Sequence, residues 1–292
     1  MAKEKSISKK TGGRKETSAR RSSLPRRKNM PHWQYVVIAT LITSIALFGA
    51  YHLFLKRLIY TITPCEGVKA YGMCIPRGYS VYGIDVSRHQ GEIDWEMLAN
   101  KNPRQAPVAF AYMKATEGSD HKDKRFDENW AGARENGFMR GAYHYFSTHS
   151  TGLAQANMFI RTVETQEGDL PPMVDVEEKP GDKTQFMQEL KIFISKVQEH
   201  YGVKPIIYTY KKYKNRYLTD RFFDSYPTWI AHYYVDSLTV DKNWTIWQYS
   251  DRGTLPGIER DVDINIFNGE LHQLENLRIK KGSGTEPEQS ED

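Results

Sequence analysis

The sequence predicts an α/β protein: an irregular β/α barrel of eight strands with fewer than eight helices, preceded by one transmembrane helix. Two observations predict this class. An uncharged apolar run lies near the N-terminus, and between residues 81 and 267 eight short apolar runs alternate with helix-like stretches. A hydrophobic fraction of 39% and a charged fraction of 26% are typical of a folded protein. The mean hydropathy of -0.66 excludes a protein with many membrane spans.

Residues 1–30 are strongly basic. They hold eleven Lys and Arg residues against two acidic residues, a net charge of +9, and almost no large apolar side chains. Such a segment buries too little apolar surface to offset the entropy of folding. We therefore expect residues 1–32 to be a disordered cytoplasmic segment. Residues 1–30 are also a candidate for contact with anionic lipid headgroups.

The uncharged run, Trp33–Leu55, predicts a transmembrane anchor. As a helix its 23 residues are about 34 Å long, enough to cross a bilayer core. Only Lys56 and Arg57 follow, so the positive-inside rule places the N-terminus in the cytoplasm and the rest of the chain on the outer, periplasmic or extracellular side. A cleaved signal peptide is the alternative, which the length of the run and the absence of a small-residue cleavage site disfavour.

The two cysteines, Cys65 and Cys74, lie in residues 56–79, a predicted linker. Export favours a disulfide between them, and two unpaired thiols are the alternative. Neither cysteine has a neighbouring histidine or a Cys-x-x-Cys partner, which argues against a metal or redox role.

Eight apolar runs, several bounded by Gly or Pro, are predicted strands. They are Tyr82–Val86, Val108–Lys114, Gly141–Phe146, Met173–Val176, Pro205–Tyr210, Thr228–His232, Thr245–Tyr249 and Val262–Ile266. Leu153–Gln166 and Thr184–His200 have helical patterns. The later runs follow one another too closely for a helix between each pair. We expect the barrel to span residues 80–272 and residues 273–292 to be a solvated tail; an open doubly wound sheet is the structural alternative.

Acidic residues stand at the ends of several predicted strands, where functional side chains of β/α barrels gather. Asp175 and Glu177 lie two positions apart on one strand, which puts both carboxyl groups on one side about 7 Å apart. Their repulsion raises one pKa, as a glycosidic general acid requires. Glu178 should face away. Asp-x-Glu is common by chance, but the apolar lead-in Pro172–Val174 argues against a solvated surface pair.

Other candidate residues have structural alternatives. Asp85 could be a turn or capping acid, Asp263 a solvent-facing strand residue, and Glu117 the partner of Lys114 in an ion pair. A histidine such as His144 is more often a core or wall residue than a metal ligand. Trp229 and Trp247 could equally be core residues or walls of a sugar subsite. Aromatic side chains beside carboxylates nevertheless suit a sugar polymer. No histidine spacing suits a metal, so neither a metal nor a cofactor is expected.

The ordered motifs GIDVSRHQGEIDW, AYMKATEG, GAYHYF, PMVDVEE, PIIYTY, WIAHY, WQYS and VDINIF resemble the glycoside hydrolase family 25 muramidases, the Chalaropsis-type lysozymes. The resemblance covers about residues 80–268 in one colinear run. It implies a β5α3-like barrel that hydrolyses the β-1,4 bond between N-acetylmuramic acid and N-acetylglucosamine in peptidoglycan.

The resemblance also implies residue roles. Glu177 matches the general acid, Asp175 its partner, and Asp85 and Asp263 the other two acids of the cleft. The expected substrate-binding residues are Glu117, Tyr143, His144, Tyr145, Tyr208, Trp229, Tyr233, Trp247 and Gln248.

The functional prediction is therefore a membrane-bound peptidoglycan hydrolase whose partner is the glycan strand. A non-catalytic peptidoglycan-binding envelope protein, or a hydrolase of another N-acetylated glycan, is the alternative. Nucleic acid is not an expected partner, because the basic charge is confined to the N-terminal segment and the rest of the chain is acidic.

Overall fold

The computed structural model describes residues 31–62, 68–99, 107–235, 237–238 and 243–280. The chain divides into two compact units, residues 1–64 and residues 65–292. The predicted disordered segment falls almost entirely on residues 1–30, which lie outside the described residues, as does Cys65.

The first unit contains helix α1, His32–Ile62, whose 31 residues are about 46 Å long. Within it, His32–His52 is long and apolar enough to cross a membrane, with a hydropathy of 1.6. The hydroxyl groups of Thr40 and Thr43 donate hydrogen bonds to backbone carbonyls one turn earlier. These two hydroxyl groups are thus satisfied within the helix, as an apolar environment requires.

The described part of the second unit contains eleven strands. In chain order they are β1 Val68–Ala70, β2 Met73–Ile75, β3 Tyr82–Val86, β4 Val108–Glu117, β5 His121–Lys122, β6 Met139–Tyr145, β7 Met173–Asp175, β8 Ile206–Tyr210, β9 Thr228–Ala231, β10 Ile246–Gly253 and β11 Val262–Phe267. The eight predicted runs correspond to β3, β4 and β6–β11.

Those eight strands close into a barrel in the order β3, β11, β10, β9, β8, β7, β6, β4, with β4 also pairing with β3. The strand pairs β3–β4, β4–β6, β6–β7, β7–β8, β8–β9 and β9–β10 are all parallel. Strand β11 is antiparallel to both of its neighbours, β10 and β3. The predicted closed barrel is therefore confirmed, and the open sheet is not. The start of β11 lies at the same rim as the carboxyl ends of the other strands.

The helices of this unit are α2 Trp95–Ala99, α3 Phe126–Glu135, α4 Gly152–Thr162, α5 Lys183–Tyr201, α6 Lys211–Tyr217 and α7 Leu271–Glu275. In the described part of the chain they number fewer than the barrel strands, as predicted. Helix α5 begins where the Asp182 carboxylate accepts two backbone N–H groups and ends at Gly202, whose φ of 67° suits glycine. Helix α4 ends four residues earlier than predicted because Val163 is extended.

Side chains alternate between the barrel interior and the helix-facing side. The lower interior is filled by an apolar cluster that includes Phe110, Tyr112, Met173, Ile206, Trp229, Ile246 and Phe267. Two interior positions are glycine, Gly83 and Gly141, where an added Cβ would lie 2.3 Å from the rings of Phe110 and Tyr112. The lower interior is therefore closely packed with side chains, and a ligand can reach the barrel at the rim.

Both ends of the barrel unit extend beyond the predicted limits. The β1–β2 hairpin lies in the predicted linker, but Tyr71 and Ile75 are buried in the core. Cys74 in β2 is disulfide-bonded; its pairing with Cys65 stays a prediction. At the other end Leu274 and Ile279 are buried, so the described chain is packed through this part of the predicted tail.

Gly152 lies where α4 meets α5. A Cβ there would lie 1.8 Å from the carbonyl oxygen of Glu189, a backbone atom that no rotamer change can move. We expect Gly152→Ala to lower the free energy of unfolding by about 1–3 kcal/mol, measured by chemical denaturation of the full chain in detergent. Gly181→Ala is the control, because its Cβ would meet nothing within 4 Å. Equal stability of the two variants would contradict the close contact.

Candidate active site

Four carboxyl groups face the rim of the barrel. Asp85 lies near the end of β3, Asp175 ends β7, Glu177 follows two residues later, and Asp263 lies near the start of β11. Asp85 and Asp263 are directly opposite one another in the β3–β11 pairing. The antiparallel direction of β11 is what brings Asp263 to this rim.

Asp85 is buried and is held by two side-chain amides. Its Oδ2 accepts hydrogen bonds from Gln248 Nε2 and Asn265 Nδ2, each at 2.8 Å. The Gln248 Oε1 atom in turn accepts the hydroxyl groups of Tyr208 at 2.7 Å and Tyr233 at 2.8 Å. These two donors orient the Gln248 amide so that its NH₂ group faces Asp85. Burial raises the pKa of Asp85 to about 6, and the two amide hydrogen bonds oppose that shift.

The Asn265 amide is oriented in the same way. Its Oδ1 accepts a hydrogen bond of 3.0 Å from Trp229 Nε1, so its NH₂ group also points to Asp85. Asp85 thus belongs to a network of polar side chains in which every amide group has a defined direction.

Asp175 and Glu177 form the second part of the acidic cluster. Burial, and then the negative charge of Glu177, raises the pKa of Asp175 well above its ordinary value. Burial also raises the pKa of Glu177. Asp175 Oδ1 is buried and has no hydrogen-bond partner among the residues that the structure describes. This arrangement favours a protonated carboxyl group in the pair.

Asp263 is also pushed toward the neutral form. Burial, followed by the charge of Asp85, raises the pKa of Asp263 to about 9. Because like charges at short range cannot all ionise, the four carboxyl groups do not carry four negative charges at neutral pH.

Lys114 is the cation beside this cluster. Its Nζ lies 2.7 Å from Glu117 Oε2 and 4.8 Å from the centroid of the Tyr145 ring. Its positive charge lowers the pKa values of both Asp175 and Glu177, against the effect of burial. Glu117, a predicted substrate-binding residue, therefore lies in the ion pair that the sequence offered as an alternative.

An open groove of 590 Å³ adjoins the acids. Glu177, Tyr208 and Tyr233 line it together with Tyr210, and the tyrosines of this group that are most exposed are Tyr210 at 40% and Tyr233 at 37%. Tyr143 is buried within the barrel, where the charges of Asp85, Asp175 and Asp263 act on it. The structure thus brings most of the predicted tyrosines to the acidic cluster.

Three predicted substrate-binding residues are inaccessible in the structure. His144 is fully buried on the helix-facing side of β6, where its ring nitrogens lie 2.7 Å from Thr116 Oγ1 and 3.0 Å from Gln155 Oε1. Trp229 is fully buried in the barrel interior. Trp247 is fully buried outside the barrel, and its Nε1 donates to the carbonyl of His232 at 2.8 Å. Their predicted contact with substrate is therefore wrong, because a fully covered side chain cannot touch a bound glycan.

Three residues that the structure places at the site were not predicted from the sequence. Asn265 could have been found, because it lies two positions after Asp263 and shares its side of β11. Lys114 was considered only as a partner for Glu117. Tyr210 gave no distinguishing signal, since its exposure depends on the way that the chain turns into α6.

Known proteins resemble this chain in sequence and in fold. Residues 84–258 match the family Glycosyl hydrolases family 25. The protein YegX of Escherichia coli O6:H1 (strain CFT073) is 40% identical over 210 residues, 71% of this chain and 77% of YegX. Lysozyme M1 of Streptomyces globisporus is 34% identical over 210 residues, 66% of this chain and 70% of that lysozyme.

The fold comparison gives the same family. The structure of a family 25 glycosyl hydrolase from Bacillus anthracis matches with a TM-score of 0.62 and 37% identity, over 68% of this chain and 93% of that one. Sequence match, fold and the ordered motifs therefore agree, and the chain belongs to glycosyl hydrolase family 25, the family of lysozyme-type muramidases.

Proposed function

We propose that this protein is a membrane-anchored muramidase that cleaves the β-1,4 bond between N-acetylmuramic acid and N-acetylglucosamine. Membership of family 25 supports peptidoglycan as the substrate. The observation that carries the proposal is the position of Glu177, a partly buried carboxyl group with a raised pKa in the wall of an open groove. A raised pKa favours the protonated form of such a group, which can donate its proton to a glycosidic oxygen.

Asp175 is the proposed partner of Glu177. Both side chains project to the same side of the chain, and Asp175 as a residue is partly exposed at the rim. In this role Asp175 orients the N-acetyl group or stabilises the positive charge that develops on the sugar ring. Burial, together with the negative charge of Asp85, favours the protonated form of Glu177.

Asp85 and Asp263 are proposed to shape the remainder of the catalytic cleft. Asp85 is a fixed acceptor, because its hydrogen-bond partners have a defined orientation. With a pKa of about 9, Asp263 is protonated at neutral pH and can donate a hydrogen bond to a sugar oxygen. We assign substrate contacts to Tyr145 and Tyr233, which are partly or fully exposed, and to Tyr208, which is largely buried but lines the groove. Gln248 positions Tyr208 and Tyr233.

Helix α1 is proposed to anchor the enzyme, with residues 1–30 in the cytoplasm and the barrel on the outer side. The length and hydropathy of His32–His52 support a span. The charge difference across it, +9 before and +2 immediately after, supports the orientation. Such an anchor would keep the hydrolase near the membrane and within reach of the cell wall.

Glu177→Gln is expected to lower kcat by about 10²–10⁴-fold, because the variant has no carboxyl proton to transfer. The measurement is the release of reducing ends from purified peptidoglycan, with mass spectrometry of the fragments. Binding to peptidoglycan should persist. Glu178→Gln is the matched control: Glu178 faces away, where its Oε2 accepts the Thr148 N–H at 2.7 Å.

Several results would contradict this proposal. Undiminished lysis by the Glu177→Gln variant would show that Glu177 is not the general acid. If the unaltered protein binds peptidoglycan without cleaving it, the barrel is a binding module. If it cleaves another N-acetylated glycan faster than peptidoglycan, the proposed substrate is wrong.

Lys114→Met is expected to move the alkaline limb of the kcat/KM profile to higher pH. Lys114 lowers the pKa of Glu177; without that cation the acid keeps its proton to a higher pH. The control is Lys122→Met, which removes an exposed cation paired with Asp127. A limb that stays in place or moves to lower pH would show that Lys114 does not set the protonation of the acid.

The orientation predicts that alkaline phosphatase fused after Asp292 is active in bacteria, because that enzyme folds only outside the cytoplasm. Green fluorescent protein at the same position should be dark. Replacing the eleven basic residues of segment 1–30 by Gln should weaken this bias, since only Lys56 and Arg57 then flank the span. A bright fluorescent fusion together with an inactive phosphatase fusion would contradict this orientation, because the C-terminus would then lie in the cytoplasm.

A further inference from the structure

The groove beside Glu177 continues beyond the acidic cluster. Its wall is formed there by Lys211, Lys212 and Asn215 at the start of α6, and by His232 on the facing loop. All of these residues line the same 590 Å³ space as Glu177. One end of the groove is therefore acidic and the adjoining wall is basic.

The two lysines at this wall have no acidic partner among the described residues. In the part of the chain that the structure describes, neither Lys211 nor Lys212 forms an ion pair or a side-chain hydrogen bond. Other lysines on the same barrel are neutralised: Lys191 lies 2.6 Å from Asp220 Oδ2, and Lys196 lies 3.0 Å from Glu199 Oε2. Two adjacent cations without acidic partners next to a cleft are a binding surface for anions.

The polar atoms around the lysines are also unused. Asn215 is exposed and forms no side-chain hydrogen bond among the described residues, and the buried His232 Nδ1 has no partner there. The positive charge of Lys211 acts on His232 and, together with burial, lowers its pKa. A neutral His232 adds a polar contact without a further positive charge, so charge recognition falls to the lysines.

We propose that Lys211 and Lys212 bind the carboxylates of the peptide stems that branch from the glycan strand. The inference rests on the proposed muramidase function. A glycan bound over Glu177 presents neutral sugars to the acids, whereas its stems carry free carboxylates away from the glycan axis. Lysine suits this task, because a flexible point charge tolerates the varied positions of a flexible peptide. The basic wall thus selects strands that carry stems.

The test compares peptidoglycan strands with intact stems against the same strands after their carboxyl groups have been converted to amides. For the full chain in detergent, Lys211→Gln with Lys212→Gln is expected to raise KM for intact strands about three- to tenfold, which lies within the range expected for two exposed charge pairs, with kcat little changed. On amidated strands the variant and the unaltered protein should have the same KM. On intact strands, added salt should reduce the difference in KM between the variant and the unaltered protein.

Two control variants separate charge from structure. Lys211→Arg with Lys212→Arg keeps both charges and should keep KM on intact strands within about twofold. Lys183→Gln with Lys196→Gln removes two cations on α5, outside the residues that line the groove, and should behave as the unaltered protein.

An unchanged KM, or an equal rise on intact and amidated strands, would overturn the inference. A rise confined to strands stripped of stems by an amidase would also overturn it, because the lactyl carboxylate of muramic acid would then be the ligand. If the unaltered protein cleaves peptidoglycan but replacing Lys211 and Lys212 leaves KM unchanged, only the inference about the lysines is wrong. No cleavage of any strand defeats the proposed function.

Discussion

The rim of the barrel depends on one buried carboxylate and the hydrogen bonds that it accepts. Asp85 on β3 binds Gln248 of β10 and Asn265 of β11, and these residues bind Tyr208 of β8 and Trp229 of β9. The network therefore joins five strands across the barrel. Removing its central acceptor would leave two buried amide NH₂ groups without a partner, at a cost of about 1–3 kcal/mol each.

That network also determines how the other acids can ionise. A charged Asp85 opposite Asp263 makes the second charge unfavourable, so Asp263 has the higher pKa. Across the rim, Asp175 and Glu177 repel one another in the same way, and Lys114 limits the effect. One fixed anion, one nearby cation and burial therefore produce carboxyl groups of different protonation within a single cleft.

Much of this arrangement could be predicted from the sequence, because alternation is a strong constraint. The eight apolar runs match the barrel strands, and the two-residue spacing of Asp175 and Glu177 correctly separates them from Glu178. The same rule, applied to β6, would have placed His144 opposite to Tyr143 and Tyr145. It would also have separated Trp247 from Gln248 on β10.

Depth within the barrel could not be predicted in this way. Trp229 and Asp175 both face the interior, yet Trp229 is fully buried and Asp175 reaches the rim. Alternation gives the side of a strand, but the level within the barrel depends on how neighbouring strands are staggered. The two interior glycines matter here, because they let Phe110 and Tyr112 fill the lower levels.

The direction of β11 is the last element that determines the site. In an all-parallel barrel, a residue near the start of a strand lies at the end opposite to the active site. Asp263 is such a residue, and it reaches the site only because β11 is reversed. Residues 254–261 separate β10 from β11, and so short a connection favours an antiparallel pair over a parallel crossover, which needs about a dozen residues or more. The short loop and the acid after it are thus one feature: the loop reverses the strand, and the reversal brings Asp263 opposite Asp85.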